Sequence, residues 1–107
     1  MTRWPAQFRP LAVADLEHAI DHYAENAGLE VAGRFIAAVE AANRAMTMQP
    51  RRGSTSTGAL LGMADVRSWR VKSFPYRLFY VFDGQMIDIW RVLHDRQVTQ
   101  AALFDED

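Results

Sequence analysis

The segment Ser73–Arg96 constrains the fold more than any other part of the chain. Two runs rich in aromatic and β-branched residues, Tyr76–Phe82 and Met86–Leu93, flank the tripeptide Asp83-Gly84-Gln85. An Asp-Gly pair between apolar runs is typical of a β-hairpin, because glycine accepts the positive φ that a tight turn requires. The segment therefore predicts two antiparallel strands, with several cations among their hydrophobic residues.

The first half of the chain predicts one short strand and two helices. Arg3–Arg9 is predicted as the strand, and Pro5 places it at a sheet edge or a bulge because proline has no N–H for the ladder. Apolar residues at helical spacing predict helices over Leu11–Asn26 and Glu30–Thr47, with Gly28 ending the first. The connection is so short that the two helices must form an antiparallel hairpin.

The second half adds a loop and a strand before the β-hairpin. Arg51–Ala64 is predicted as the only long loop, with Leu60, Leu61 and Met63 packed onto the core. Val66–Lys72 is predicted as a strand. The order β-α-α-β-β-β predicts an α+β fold, in which the helical hairpin covers one face of an antiparallel sheet.

Composition limits both the chemistry and the compartment. The chain has 107 residues, which leaves room for one domain over residues 1–107, and half of its residues are hydrophobic. It has no cysteine, which excludes disulfides, thiol catalysis and Cys-based metal sites. Met1–Pro10 does not read as a signal peptide, and no run reaches the roughly 18 apolar residues of a membrane span. We therefore expect a soluble cytoplasmic protein without a membrane partner.

The net charge of −1 hides an uneven distribution. Residues 1–50 carry four arginines and six acidic residues, whereas residues 51–96 carry eight cations and four aspartates. Proteins held on nucleic acids by phosphate contacts are usually strongly basic, since each neutralised phosphate releases counterions. Direct nucleic-acid binding is therefore not expected. The cationic middle of the chain better suits an acidic patch on a protein partner.

Three patterns that resemble chemical sites are better explained without one. His18 and His22 stand one helical turn apart, as metal ligands do, but no third ligand is evident nearby, so a solvated helix face is favoured and no metal is predicted. The loop Gly53–Gly58 lacks the Gly-Lys-Ser/Thr ending with which a P-loop binds phosphate. Ser68 and Ser73 have no adjacent acid–base pair to activate them. No cofactor is predicted.

The β-hairpin leaves three alternatives open. Hydrophobic residues occupy both parities of Tyr76–Phe82, so both sheet faces need cover, and the face without helices is a candidate partner groove. Arg77 lies mid-strand, where it either pairs with an acidic residue such as Asp88 across the hairpin or faces a functional groove. His94 follows Arg91 and precedes Arg96, where it either acts as a general base or joins a strand-end cluster bonded to the acidic tail, residues 105–107.

In their order and spacing, the motifs resemble the RelE/ParE toxin superfamily, and its ParE branch in particular. The resemblance covers nearly the whole chain. Its most specific parts are Tyr76-Arg77-Leu78-Phe79-Tyr80 and Arg91-Val92-Leu93-His94-Asp95-Arg96. Ala14-Asp15-Leu16, Tyr23 and Arg34-Phe35-Ile36 add weaker agreement. The resemblance implies the RelE/ParE-like fold and the toxic half of a plasmid-stabilisation, or type II toxin–antitoxin, system.

Members similar to RelE cut messenger RNA on the ribosome by surrounding the scissile phosphate with cations. In that case the catalytic residues would be Arg70, Arg77, His94 and Arg96. Two departures speak against this branch. Such ribonucleases typically have a tyrosine close to the C-terminus, whereas no tyrosine follows Tyr80 here, and they are usually strongly basic.

Members similar to ParE lack that catalytic set, are not enzymes and are associated with poisoning DNA gyrase. The near-neutral charge favours this branch, with a RelE-like ribonuclease as the alternative and an inactive binding or regulatory member as a third. Both branches are neutralised by an antitoxin, here ParD-like, whose disordered C-terminal segment folds across the toxin. The resemblance thus implies a toxin–antitoxin hetero-oligomer. The antitoxin-binding residues are predicted to be Arg70, Lys72, Arg77, Tyr80 and Trp90.

Overall fold

The computed structural model describes residues 2–104, in which a helical hairpin packs on one face of a four-stranded sheet. The elements are β1 Ala6–Phe8, α1 Pro10–Ala27, α2 Leu29–Met48, α3 Ser56–Leu60, β2 Arg67–Arg70, β3 Tyr76–Phe82, β4 Ile87–His94 and α4 Gln100–Phe104, with 3-10 turns at Pro50–Arg52 and Asp95–Gln97. The predicted α+β fold is confirmed. The two long helices and both hairpin strands lie within one residue of their predicted bounds.

The helical hairpin follows from local chemistry and from its apolar faces. Pro10 occupies the first turn of α1, where a missing backbone N–H leaves no hydrogen bond unmade. Gly28 joins the helices at φ +95°, a conformation that residues with side chains rarely adopt, and it ends α1 as predicted. Phe35 and Met46 of α2 are fully buried against the sheet.

The sheet has the order β1-β4-β3-β2, so β1 and β2 are its edge strands. β1 lies at an edge, as Pro5 predicts, but it is shorter than the predicted Arg3–Arg9 and pairs parallel to β4. The sheet is therefore mixed, with one parallel pair added to three antiparallel strands. β2 at Arg67–Arg70 is likewise shorter than its predicted range.

The turn between β3 and β4 has the predicted Asp-Gly chemistry. Gly84 has φ +96°, and the Asp83 carboxylate accepts the backbone N–H groups of Met86 and Gln85 at 2.7 and 2.8 Å. These two hydrogen bonds hold the pKa of the Asp83 carboxyl below its usual value, because they stabilise the ionised form. The side chain thus fixes the turn that sets the strand register.

A β-bulge interrupts the pairing of β3 with β4. Phe79 opposes Arg91 and Tyr80 opposes Ile89, so Trp90 is the additional residue on β4. After the bulge, β4 no longer pairs with β1, because β1 ends at Phe8. There a side chain from α1 forms the hydrogen bond to the β4 backbone.

That side chain is Asp15, which binds β4 in place of a strand. Its carboxylate accepts the backbone N–H of Val92 at 2.9 Å and both Nε and Nη2 of Arg91 at 2.8 Å each. Nη1 of the same guanidinium donates to the carbonyl of Ala102 at 2.9 Å. Asp15 and Arg91 thereby connect the first helix, the sheet and the C-terminal helix.

A second hydrophobic cluster covers the sheet face opposite the helical hairpin. Its buried residues are Met63, Val66, Phe79, Leu93 and Leu103, which come from the segment after α3, from β3 and β4, and from α4. The prediction that this face is an open partner groove is therefore wrong. The chain covers the face with its own residues, through a helix that the sequence pattern did not reveal.

The predicted loop Arg51–Ala64 contains a 3-10 turn and α3. Met63 packs into the second cluster as expected, and Leu61 is half-buried against it. Leu60 does not pack there, since it is the last residue of α3, projects into solvent and is 86% exposed. The prediction for Leu60 is therefore wrong.

Candidate functional site

A groove of about 650 Å³ lies between α2 and the exposed edge of β2. We call it the α2–β2 groove. Its lining residues are Val31, Arg34, Ala38, Ala41, Ala42, Ala45, Trp69, Arg70, Lys72, Ser73 and Phe74.

The groove is shallow and apolar because one side of α2 carries small side chains. Ala38, Ala41, Ala42 and Ala45 have the i, i+3, i+4, i+7 spacing of a single helical stripe. Phe74, which packs edge-on against the buried ring of Phe35, stands at one end. The surface can therefore accept bulky apolar side chains from a partner.

All charges in the groove lining have the same sign. Arg34 comes from α2, and Arg70 and Lys72 come from the end of β2 and the turn that follows. No carboxylate lines the groove among residues 2–104. Ser73 reverses the chain beside them with φ +71°, in the left-handed region. The groove is therefore an apolar surface with a cationic border.

The edge of β2 also offers backbone hydrogen bonds. Ser54 pairs with Ser68 through two backbone bonds of 2.9 and 2.8 Å, which closes one part of that edge. Backbone groups of an antiparallel strand point outward at alternate residues, so those of Arg70 come next on the free side. A short strand added there would lie beside the groove.

The structure brings together only part of the predicted antitoxin-binding set. Arg70 and Lys72 line the groove. Tyr80 is fully buried, and its hydroxyl donates to the carbonyl of Pro50 at 2.6 Å. Burial raises the pKa of Tyr80 to about 12, while the nearby Arg67 and a backbone hydrogen bond from Gly53 lower it only in part. Tyr80 is thus a core residue rather than a surface contact.

Trp90 lies away from the groove, in the central strand β4. Its Nε1 donates to Asp88 at 3.0 Å, and the Arg9 guanidinium stacks over its ring at 4.6 Å. Asp88 also forms an ion pair of 2.7 Å with Arg9. These contacts hold Trp90 to its neighbours near the β1 edge, so its side chain does not join Arg70 and Lys72.

Arg77 pairs with an acidic residue, but that residue is Asp95 and not Asp88. The register places Arg77 opposite Leu93, and Val81 opposite Asp88. The Arg77 Nε lies 3.6 Å from the Asp95 carboxylate, too far for a hydrogen bond, and it is buried without any hydrogen-bond partner among residues 2–104. Arg70 approaches the same carboxylate at 4.0 Å.

His94 has a structural role at the end of β4. Its Nδ1 accepts the backbone N–H of Arg96 at 3.0 Å, and its own backbone N–H donates to Gln97. A neutral ring whose Nδ1 accepts carries its proton on Nε2, which is then a donor and not a general base. The alternative partner for His94, the acidic tail 105–107, lies outside the described residues.

The described residues contain neither a metal cluster nor a membrane helix. Within residues 2–104 no group of three His, Cys, Asp or Glu side chains is placed to hold a metal ion. None of the helices in that range is both long enough and apolar enough to cross a membrane.

Residues 6–99 match the family of the ParE toxin of the type II toxin–antitoxin system parDE. The chain belongs to the ParE toxin family. Among solved structures, a chain titled as part of the chromosomal ParDE TA system from P. aeruginosa shares the fold of this ParE toxin, with a TM-score of 0.71 and 20% sequence identity. The alignment covers 86% of the toxin and 96% of that chain. No curated protein sequence matches it significantly.

Family membership confirms the resemblance and gives the toxin an antitoxin partner. Sequence patterns did not indicate Arg34 or the alanine stripe as parts of this groove. Four alanines at helical spacing are as typical of a close helix contact as of a binding surface. The position of α2 beside the sheet edge is what makes this stripe line a groove.

Proposed function

We propose that the α2–β2 groove of this toxin binds an acidic, amphipathic segment of its antitoxin. One observation carries the proposal: an alanine-floored groove of about 650 Å³ that is bordered by three cations and no carboxylate among its lining residues. Apolar side chains of the segment would pack on the alanines. Its carboxylates would face Arg34, Arg70 and Lys72.

The free edge of β2 supports one further detail. An extended stretch of the antitoxin could hydrogen-bond the backbone of Arg70, next to the position that Ser54 already occupies at Ser68. Main-chain bonds of this kind supply affinity, while the groove beside them supplies side-chain specificity. A segment that is disordered before binding would form both contacts as it folds.

A charge-reversal experiment tests the groove. Arg70→Glu with Lys72→Glu should weaken antitoxin binding by about 100-fold, because each reversal replaces an attraction by a repulsion worth on the order of 1–2 kcal/mol. Arg44→Glu is the matched control, since Arg44 is an exposed cation of α2 that does not line the groove. Calorimetric titration with the antitoxin measures both.

The control should change the affinity by less than about threefold. The groove assignment is wrong if Arg44→Glu weakens binding as strongly as the double reversal. It is also wrong if the double variant, shown to be folded by circular dichroism, binds with the affinity of the unmodified toxin.

We further propose that the toxin inhibits DNA gyrase by protein–protein contact. Membership of the ParE family supports this target, and so does the local chemistry of the alternative site. The Nδ1 atom of His94 already accepts the backbone N–H of Arg96, and Arg70 and Arg77 both approach Asp95. These local contacts support the gyrase target over the ribonuclease alternative.

Two assays on the antitoxin-free toxin distinguish the targets. Inhibition of gyrase supercoiling, with accumulation of cleaved gyrase–DNA complexes, is expected. Codon-positioned cuts in ribosome-bound messenger RNA that disappear in Arg77→Ala would instead establish the RelE-like alternative. A toxin that is harmless in cells and silent in both assays would be an inactive binding member.

A further inference from the structure

A second groove lies between the two long helices, on another side of α2 from the α2–β2 groove. It encloses about 250 Å³, and we call it the α1–α2 groove. Its lining residues are Phe8, Leu16, Ile20, Phe35, Ile36, Val39, Glu40 and Asn43. Ile36 is 40% exposed, and Val13, one turn before Leu16 on α1, is 42% exposed. The helical hairpin therefore leaves an apolar stripe in solvent.

Two acceptors of α2 stand at this groove without partners of their own. The Asn43 Oδ1 atom is buried and has no hydrogen-bond partner among residues 2–104. Glu40 precedes it by three residues, which places the two side chains on one face of the helix, and it forms no ion pair within those residues. A buried acceptor without a donor is unfavourable, so a donor supplied from outside would be stabilising.

The charge in the lining of this groove is negative, opposite in sign to the charges of the α2–β2 groove. Among the described residues that line it, Glu40 is the only charged one, whereas the charged residues that line the α2–β2 groove are cations. Helix α1 carries four acidic residues and no lysine or arginine. Two of them, Glu17 and Asp21, directly follow the lining residues Leu16 and Ile20 and are exposed to solvent. The linings of the two grooves thus carry opposite charges.

We propose that the α1–α2 groove is a second protein-docking surface, which binds a basic amphipathic helix of a partner. The apolar side of that helix lies on Leu16, Ile20 and Ile36. An arginine of the helix reaches Glu40 and Asn43, because a guanidinium has five N–H donors that can satisfy a carboxylate and an amide oxygen together.

Charge argues against a second copy of this chain as the occupant. A two-fold interface brings the same surface of both copies together, so it would place two acidic α1 helices side by side. Because the two grooves use different sides of α2, the proposed partner and the antitoxin can bind at the same time. This simultaneous binding rests on the proposal that the antitoxin occupies the α2–β2 groove.

A designed peptide provides the test. The probe is an 18-residue helix with leucine on one face and arginine on the other, and its counterpart has glutamate in place of arginine. Fluorescence anisotropy measures the binding of each to the toxin–antitoxin complex, in which the antitoxin site is filled. The arginine peptide should bind, and the glutamate peptide should bind at least about tenfold more weakly, since like charges oppose each other across an interface.

Three variants locate the contact. Glu40→Lys and Asn43→Ala should each lower the affinity for the arginine peptide by about fivefold to tenfold. The matched change Glu25→Lys, on α1 outside the groove lining, should alter that affinity less than about twofold. Thermal melting confirms that each variant is folded.

Several results would overturn the proposal. One is equal binding of the two peptides, and another is an effect of Glu25→Lys as large as that of Glu40→Lys. Displacement of the antitoxin by the peptide would show that both use one surface. A dimer of the toxin in sedimentation analysis that Glu40→Lys dissociates would identify a second copy as the occupant.

Discussion

The contact between Asp15 and Arg91 gives the sharpest stability prediction, for the substitution Asp15→Ala. The carboxylate accepts two guanidinium hydrogen bonds of 2.8 Å and the Val92 backbone N–H at 2.9 Å, and the two side chains are only 12% and 14% exposed. Removing one member of a buried ion pair typically costs 3–5 kcal/mol, because the other charge stays desolvated. With this slight exposure, we expect a loss of about 3 kcal/mol, the lower end of that range.

Urea unfolding followed by circular dichroism measures this loss directly, and the melting temperature should fall by roughly 15 °C for a domain of this size. Arg91→Met removes the charge that Asp15 faces. The double variant should therefore be less destabilised than the sum of the single variants, by on the order of 1–3 kcal/mol of coupling. The reasoning is refuted if Asp15→Ala costs less than about 1 kcal/mol or if the coupling is zero within error.

Two further predictions concern the two hydrophobic clusters. Burial raises the pKa of Tyr80 to about 12, so the folded state holds the hydroxyl proton more tightly than the unfolded state. Stability that is present below pH 10 should therefore be lost between pH 10 and pH 12, by up to about 1.4 kcal/mol per pH unit. Urea unfolding at pH 9 and pH 11 measures this loss of stability. The loss should be smaller in Tyr80→Phe than in the unmodified toxin, and equal losses in the two proteins would contradict the prediction. Leu103→Ala should cost about 2–3 kcal/mol and open α4 to proteolysis, because Leu103 is 1% exposed. Phe104→Ala, at a residue 58% exposed, should cost less than about 0.5 kcal/mol, and equal losses in both variants would contradict the docking of α4 through Leu103.

Local chemistry made much of the fold predictable. The Asp83-Gly84 turn, Gly28 and the helical spacing of apolar residues each act within a few positions, so the hairpins could be located without knowing their partners. The same turn also determines which residues face each other. It places Val81 opposite Asp88, four positions away from Arg77, so the acidic residue near Arg77 is Asp95 and not Asp88.

Burial was harder to predict, since it depends on contacts between distant segments. Apolar residues occur at both odd and even positions of β3, which face opposite sides of the sheet. The sequence pattern therefore could not assign Tyr80 to the core beneath the helices and Phe79 to the second cluster. The cover of the second face comes from Met63, Val66 and Leu103, which are scattered over forty positions without a helical or strand period. The groove beside α2 was predictable in its cations Arg70 and Lys72, and not in its alanine floor.

The short first strand has a consequence for how toxin chains can associate. β1 is three residues long and lies between Pro5 and Pro10, neither of which has an N–H to offer a neighbouring strand. Beyond the end of β1, the Asp15 carboxylate accepts the Val92 N–H, so this group is not available to a strand of another chain. At the opposite edge of the sheet, the backbone of Ser54 already pairs with that of Ser68. Within residues 2–104 the two edge strands are therefore short and unlike each other, which disfavours the joining of toxin sheets edge to edge into a continuous ribbon.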